Sequence, residues 1–473
     1  MKYLLPSILA ILFSGYVVAQ TELSSFNATG SGFSTTSLTD YQCLGINPAN
    51  LGWKHNNHKM NLGFFEFAGS IYSEPLTRKE ILNDLLGNPI TLSDAEKVDA
   101  AKKFLDTRIF GSVSLMSVGF SYQDEKLGGF AFNIREKLVW NSILNSNAAD
   151  FLYLGYHDPY FDSLVFDGMD TVGYSTDSEY ASSLYNGTDQ QFLLLREFNL
   201  GWGRKIIEKD NFTFYLGVGV KYILGYGMTQ YYQGDNGGTI VGYSALSPAF
   251  KVDYDTPTPS QVSGDGYKKV GSGFGFDIGT TFEFYKKKIR VSLSVVDIGS
   301  ITWDGNVYKG NNGRVWKINT PGIDNYNIFQ QGELIDSDNY PGDLDEWTGV
   351  QDQKLSLATT FRGGINYKIN EEFEAGFDVL VPFKTDMPGS YLAPVYGVGG
   401  KYKPASWVDI SIGVVTGGKF GTNVPVGLTF YPINKESSTW VVGIATRDMK
   451  TLFSNSNPTV SAAFGFLRFS FGE

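Results

Sequence analysis

The sequence predicts an all-β fold, a transmembrane antiparallel outer-membrane β-barrel of about 14 strands with an N-terminal plug segment and a short helical outer loop. Three observations predict this fold. Apolar and polar side chains alternate along segments of about ten to fourteen residues, the length of a strand that crosses a bilayer. Short and long connections follow one another between these segments. After the N-terminus, no apolar run approaches the ~20 residues that a spanning helix needs.

The composition fits such a barrel better than a soluble enzyme. The 473 residues are 42% hydrophobic and 15% aromatic, include 55 glycines, and are only 18% charged. The net charge of −11 argues against nucleic acid as a partner. Cys43 is the one cysteine, which excludes an internal disulfide framework.

The N-terminus has the pattern of an export signal. Lys2 precedes the apolar stretch 4–18, and Val17-Val18-Ala19 offers small residues for cleavage before Gln20. A membrane anchor is the alternative, but the stretch is short. The predicted organisation is a signal peptide over 1–19, an N-terminal hatch or plug over 20–57, and the β-barrel over 58–473.

Alternation assigns the two faces of each predicted strand. Residues 212–224 place apolar side chains at even positions, and residues 274–284 repeat the pattern. The opposite faces carry glycines and charged residues, whose exposure to lipid would cost a few kcal/mol each. We therefore expect lipid on the apolar face and water on the face that bears Asp277, Glu283, Arg290, Glu374, Asp378 and Asp409.

The connections are sorted by length. The even-numbered ones are tight turns, whereas the odd-numbered ones include the long segments 73–108, 139–190, 227–265 and 304–356. Outer-membrane barrels have this arrangement, with short turns at the periplasmic rim and long loops outside. The predicted strands cover residues 58–72, 109–122, 128–138, 191–203, 211–226, 266–285, 288–303, 357–369, 372–382, 391–402, 406–415, 422–431, 437–446 and 460–471.

The first long loop contains two helix signals. Thr77-Arg78-Lys79-Glu80 and Ser93-Asp94-Ala95-Glu96 match the capping box, and Gly87 is expected to end the first helical segment. These helices would form a lid or brace the wall. Aromatic residues near strand ends predict interfacial girdles formed by Trp202, Tyr222, Tyr226, Tyr285, Trp303, Tyr367, Tyr402, Trp407, Tyr431 and Trp440.

Candidate catalytic and metal-binding residues are few. His55, His58 and His157 lack the Cys or acidic partners of a metal site and are expected to be solvated, and no serine has a recognisable nucleophile setting. We predict no enzyme activity, no cofactor and no metal site. An acidic cluster in the last long loop leaves calcium binding open, through Asp336, Asp338, Asp343, Asp345 and Glu346.

One short motif resembles a known family. Asn47-Pro48-Ala49, just before the first strand, resembles the Asn-Pro-Ala element of FadL/TodX long-chain fatty-acid transporters, a superfamily that includes the PorV-like secretion component. The aspartates in Phe276-Asp277-Ile278-Gly279 and Val296-Asp297-Ile298-Gly299 look like features of PorV-like barrels. The resemblance implies a hatch inside a 14-stranded barrel. It carries over no ligand-binding residues, and a simple turn before the strand also explains Asn-Pro-Ala.

Two functions follow from this reasoning. The first is passive uptake of a hydrophobic small molecule across the cell outer membrane, and the second is a non-transporting scaffold or protein-secretion accessory component. Outer-membrane lipid is an expected partner in both cases, with either a hydrophobic ligand or secretion-system proteins. An aqueous porin ranks third, because a plug would obstruct it. The cargo, the opening of the plug and the oligomeric state stay open.

Overall fold

A computed structural model describes residues 23–53, 58–88, 90–166, 171–233, 240–252, 254, 256–326, 347–418 and 421–472. Within these residues, 14 strands form a closed antiparallel barrel, which confirms the predicted fold class. In chain order the strands are β1 (Met60–Ser73), β2 (Arg108–Asp124), β3 (Gly128–Ile143), β4 (Asp189–Lys209), β5 (Phe212–Gln233), β6 (Gly271–Phe284), β7 (Ile289–Trp303), β8 (Thr360–Lys368), β9 (Phe373–Pro382), β10 (Val395–Ala405), β11 (Val408–Gly417), β12 (Val426–Asn434), β13 (Ser438–Thr446) and β14 (Thr459–Phe471).

The barrel closes between its first and last strands. β1 pairs with β14 from Met60↔Phe471 to Tyr72↔Thr459, and every other strand pairs with its neighbours in sequence. A closed sheet pairs its backbone groups internally and leaves no free edge, which lets strands cross a bilayer.

The two rims differ as the sequence predicts. The turns that join β2 to β3, β4 to β5, β6 to β7, β8 to β9, β10 to β11 and β12 to β13 are two to four residues long. We call this end the short-turn rim. The opposite end, the long-loop rim, carries all the long connections. In the turn after β6, Tyr285, Lys286 and Lys287 adopt positive φ angles of 51°, 56° and 68°.

The first long loop is helical, as predicted. It contains Arg78–Glu80, the π-helix Ile81–Leu85 and α1 (Asp94–Phe104), and both capping boxes are formed. Helix α2 (Ser146–Leu154) of the next loop packs against α1. The two helices share a buried apolar cluster with the ends of the strands, so this loop braces the wall.

Smaller elements complete the long-loop rim. Strands Ser163–Phe166, Thr171–Tyr180 and Arg314–Ile318 form a separate three-stranded sheet. Four short strands extend the barrel wall: Ile240–Leu246, Val307–Gly310, Trp347–Gly349 and Gln353–Ser356. Single helical turns cover Gly155–His157, Ala181–Leu184, Pro248–Phe250 and Lys450–Phe453.

The outer surface of the barrel is apolar. Phe276 on β6 is 53% exposed, whereas its neighbour Asp277 is 4% exposed and points into the lumen. The predicted assignment of the two faces therefore holds along this strand. Among the residues that the structure describes, no helix is long and apolar enough to cross a membrane.

Two predicted girdle residues lie elsewhere. One, Tyr431, faces the lumen, where its hydroxyl donates to Asp409 at 2.6 Å. The other is Trp303. Trp303 is fully buried in the lumen, where its indole occupies the space beside Gly225 and Gly271. By contrast, Tyr285 and Trp407 are exposed on the outer surface. Position in the strand predicted a girdle for Trp303, but the strand face that Trp303 occupies is the luminal one.

Candidate functional site

Residues 23–53 lie inside the barrel, and nearly all of them are buried. We call them the luminal segment. It contains three short helical turns, Phe26–Thr29, Asp40–Cys43 and Pro48–Gly52. The segment contacts the luminal face of strands around the whole circumference, so it fills the half of the lumen that lies nearer the short-turn rim.

Glycines on the barrel wall make room for the luminal segment. A Cβ atom at Gly399 of β10 would lie 2.0 Å from the Ser31 carbonyl oxygen, and one at Gly217 of β5 would lie 2.3 Å from the Ala49 nitrogen. Both distances are too short for non-bonded atoms. We call the wall glycines at which a Cβ atom would lie within 3.3 Å of the luminal segment the glycine belt: Gly63, Gly119, Gly129, Gly201, Gly203, Gly217, Gly279, Gly364, Gly376, Gly397, Gly399, Gly413, Gly427, Gly443 and Gly465.

The belt corrects one expectation from the sequence. We expected the face that bears glycines and carboxylates to meet water, but at this level it meets the luminal segment. Glycine in a strand allows close approach of another chain segment, and here that segment is the protein's own N-terminal region.

The luminal carboxylates bind the segment. Asp378 of β9 accepts hydrogen bonds from the backbone nitrogens of Ser34 and Thr35 at 2.7 and 2.8 Å. Glu66 of β1 accepts from the Tyr41 hydroxyl at 2.7 Å and from the Gln42 amide at 2.6 Å. These bonds satisfy buried charges that would otherwise be costly inside the barrel.

Two arginines on opposite sides of the barrel wall contact the segment. Arg468 of β14 forms an ion pair with Asp40. The guanidinium of Arg290 on β7 lies 3.7 Å from the centre of the Trp53 ring and donates to the Thr36 carbonyl oxygen at 2.9 Å. The wall and the segment therefore form one continuous polar network.

The Asn-Pro-Ala motif lies within this network. Asn47 precedes the helical turn Pro48–Gly52, and its side-chain oxygen accepts from the Ala49 nitrogen at 3.1 Å. Its amide nitrogen donates to the Thr281 hydroxyl of β6 at 3.1 Å. The motif thus forms a local turn and also anchors that turn to the wall, so the two interpretations of the sequence describe one arrangement.

The two motif aspartates converge on a single lysine. Lys221 of β5 is 3% exposed, and its ammonium lies 3.2 Å from the Asp277 carboxylate and also forms an ion pair with Asp297. The Asp297 backbone nitrogen donates to Asp277 at 2.8 Å. Asp297 has a φ of 59° and lies at a β-bulge where the pairing of β7 with β6 shifts between Val295 and Ile298. The sequence showed the repeated motif but not the shared lysine.

Beyond the luminal segment, toward the long-loop rim, the lumen becomes apolar. We call this region the apolar chamber. It contains a small, partly open cavity lined by Leu195, Ile301 and Trp303. Polar groups at its lower end are Lys137, Glu197 and Asp297. Its buried apolar residues include Tyr72, Phe110, Val139, Leu193, Leu195, Ile223, Met228, Ile301 and Trp303.

The chamber could not be predicted from alternation, because alternation assigns two unlike faces to each strand. Near the long-loop rim the strands are apolar on both faces, as in Leu193-Leu194-Leu195 and Tyr222-Ile223-Leu224. Such continuous apolar runs at one end of a strand are the signal that could have located it.

The other candidate residues lie apart from the chamber. His58 is buried, not solvated as expected, and its Nε2 lies 2.8 Å from the Thr439 hydroxyl. His157 lies in an outer helical turn beside Tyr156. The predicted signal peptide, His55 and the acidic cluster 336–346 fall outside the described residues.

Comparison with known proteins gives both a family and similar folds. The TodX deltaS2S3 mutant, a monoaromatic hydrocarbon channel, is 10% identical, with a TM-score of 0.47 and coverage of 95% of this chain and 98% of that one. The Ralstonia pickettii toluene transporter TbuX is 10% identical, with a TM-score of 0.43 and coverage of 96% and 99%. A Pseudomonas aeruginosa FadL homologue is 12% identical, with a TM-score of 0.42 and coverage of 97% and 99%.

No curated protein matches the chain. A family model does match, over residues 53–435. The chain belongs to that family, which is described as a family of unknown function, DUF5723.

Proposed function

We propose that this protein takes up a hydrophobic small molecule passively across the cell outer membrane. The observation that carries the proposal is the apolar chamber, a partly open cavity on the long-loop side of the luminal segment. A ligand that enters from outside would meet an apolar surface and then a packed polar floor.

The chamber favours apolar ligands for a simple energetic reason. Burial of apolar surface contributes roughly 25 cal/mol per Å², so a wall of leucine, isoleucine and aromatic side chains attracts hydrocarbon from water. The polar groups at the lower end, Lys137 and Glu197, are few and therefore suited to orienting a ligand.

The luminal segment disfavours a straight aqueous path, so the ligand needs another exit. Pairing between β7 and the strands after it is interrupted: it reaches Val296↔Thr360 and resumes at Ser300↔Ser356. Ala358 within this interruption and Leu357 beside it line the chamber. We propose that the ligand leaves sideways here, through the wall and into the bilayer.

Uptake assays test this proposal. Cells or proteoliposomes with the wild-type barrel should accumulate radiolabelled fatty acids or aromatic hydrocarbons faster than those without it. Leu195→Gln, which places an amide in the chamber, should reduce the rate several-fold, whereas the matched variant Leu164→Gln on an exposed outer strand should not. Equal uptake with and without a correctly folded barrel, across the whole panel, would exclude the proposal.

A scaffold function is the second candidate, and one observation favours it. The three-stranded sheet at the long-loop rim exposes Leu164, Val165, Phe166 and Trp316 to solvent. Affinity purification in mild detergent distinguishes the two functions. Stoichiometric secretion-system subunits would favour the scaffold, and a lone barrel that holds lipid in its chamber would favour uptake.

A further inference from the structure

An ion pair interrupts the apolar outer wall of the barrel. Glu136 of β3 and Arg196 of β4 are directly paired across the two strands, and the Arg196 Nε donates to a Glu136 carboxylate oxygen at 2.5 Å. Both side chains point outward, because the adjacent positions Arg135 and Glu197 are buried in the lumen. Their outward neighbours along the same strands are apolar: Ile134, Leu138, Leu194 and Phe198.

The pair lies at the depth of the lipid acyl chains. Trp140 is four residues from Glu136 toward the long-loop rim, and Trp202 is six residues from Arg196 toward the short-turn rim. With a rise of ~3.3 Å per residue and a strand tilt of ~40°, the pair lies ~10 Å inside the first tryptophan and ~15 Å from the second. Charged groups facing lipid at this depth are unfavourable, and they commonly mark a functional contact.

Aromatic rings cover the pair on the side of the outer lipid headgroups. The Tyr226 ring centre lies 5.4 Å from the Arg196 guanidinium carbon, and Tyr267 stacks on Tyr226 with ring centres 4.3 Å apart. Tyr226 lies further than Arg196 toward the long-loop rim, since Arg196 pairs with Leu224. A partner can therefore approach the pair more easily from the side, within the plane of the membrane, than from the outer headgroup layer.

We propose that this face of the barrel binds a second copy of the same chain within the membrane. A two-fold axis requires a self-complementary surface, and an acidic residue beside a basic one provides it. Rotation about that axis places Arg196 of one copy opposite Glu136 of the other. A guanidinium has five N–H donors, so the second carboxylate supplies acceptors that acyl chains cannot.

Disulfide cross-linking in outer membranes tests the interface. Cys43 is buried and is the chain's one cysteine, so single cysteines introduced on the wall report contacts cleanly. Leu138→Cys lies beside the ion pair, and Leu293→Cys is the matched control on the outward face of β7. Oxidation should give a dimer band with L138C and none with L293C, and adding E136Q and R196Q together should remove that band.

Charge reversal sharpens the test. R196E alone places four carboxylates at the interface and should abolish the dimer, whereas E136R with R196E keeps opposite charges across the axis and should restore it. Heat-modifiable migration on gels verifies that each variant is folded. The proposal is overturned if folded L138C stays monomeric, if it cross-links to a protein of different mass, or if native mass spectrometry finds a monomer with a lipid held at this face.

Discussion

The ammonium of Lys221 lies 3.2 Å from the Asp277 carboxylate and is enclosed by the barrel wall and the luminal segment. The same ammonium pairs with Asp297 at the bulge of β7. This cluster joins three adjacent strands where the packed part of the lumen meets the apolar chamber. It is thus a structural support for the chamber floor.

Lys221→Met should therefore destabilise the barrel strongly. The substitution leaves two buried carboxylates without their cation, and breaking a buried pair in this way costs about 3–5 kcal/mol. The measurement is the free energy of unfolding in urea for protein refolded in micelles. Lys205→Met removes an exposed ion pair with Glu208 and should change that free energy by less than about 1 kcal/mol. Similar effects of the two variants would contradict this account of the cluster.

Gly399→Ala should displace part of the luminal segment. The new methyl group would lie 2.0 Å from the Ser31 carbonyl oxygen, and overpacking of this kind costs about 1–3 kcal/mol. Gly400→Ala is the matched control, since the nearest atom to a methyl group there is 3.5 Å away. Hydrogen exchange should show faster exchange in residues 23–53 for the first variant only. Unchanged hydrogen exchange in both variants would mean that β10, and not the luminal segment, moves to accommodate the methyl group.

The helices of the first long loop should loosen in acid. Partial burial acts to raise the pKa of Glu80, but hydrogen bonds from Lys103 and Thr77 outweigh it and hold the pKa below its usual value. A carboxyl group with a lowered folded-state pKa stabilises the fold above its unfolded-state pKa, and this contribution is lost as the pH falls through the folded-state value. Hydrogen-exchange protection in residues 78–104 should accordingly fall in that range. In the Glu80→Gln variant, residues 78–104 should be less protected from hydrogen exchange near neutral pH. Their protection should also depend less on pH than in the wild-type protein.

A ligand in the apolar chamber should quench the fluorescence of Trp303. An apolar nitroaromatic compound should give a saturable component of quenching with the wild-type protein, because the indole lines the cavity. Trp303→Phe keeps the chamber apolar and should remove that component. Trp407→Phe, on the lipid-facing surface, should retain it. Saturable quenching that survives in W303F would place the ligand elsewhere.

The strands could be predicted from the sequence because each one carries its own signal. Alternation along residues 211–226 locates most of β5 without knowledge of any other part of the chain. The last residues of β5 were missed because they mix glycine and polar side chains with apolar ones. The capping boxes that begin at Thr77 and Ser93 could be predicted for the same reason, because each depends on four consecutive residues.

The site could not be predicted in the same way, because its contacts join distant parts of the chain. Gly399 meets Ser31, and Asp378 meets Ser34, across more than 340 residues of sequence. A glycine in a strand gives no sign of which segment will approach it. Trp303 was misassigned for the same reason, since Gly225 and Gly271 make room for its ring inside the barrel.

Phe26 lies across the place where the barrel closes. Its ring occupies the space beside Gly443 of β13 and Gly465 of β14, and it packs in one cluster with Ala68 of β1. Phe26 precedes both glycines in the chain by more than 400 residues. It can therefore reach its packed position only after β13 and β14 have been synthesised, and its ring then links these strands to β1.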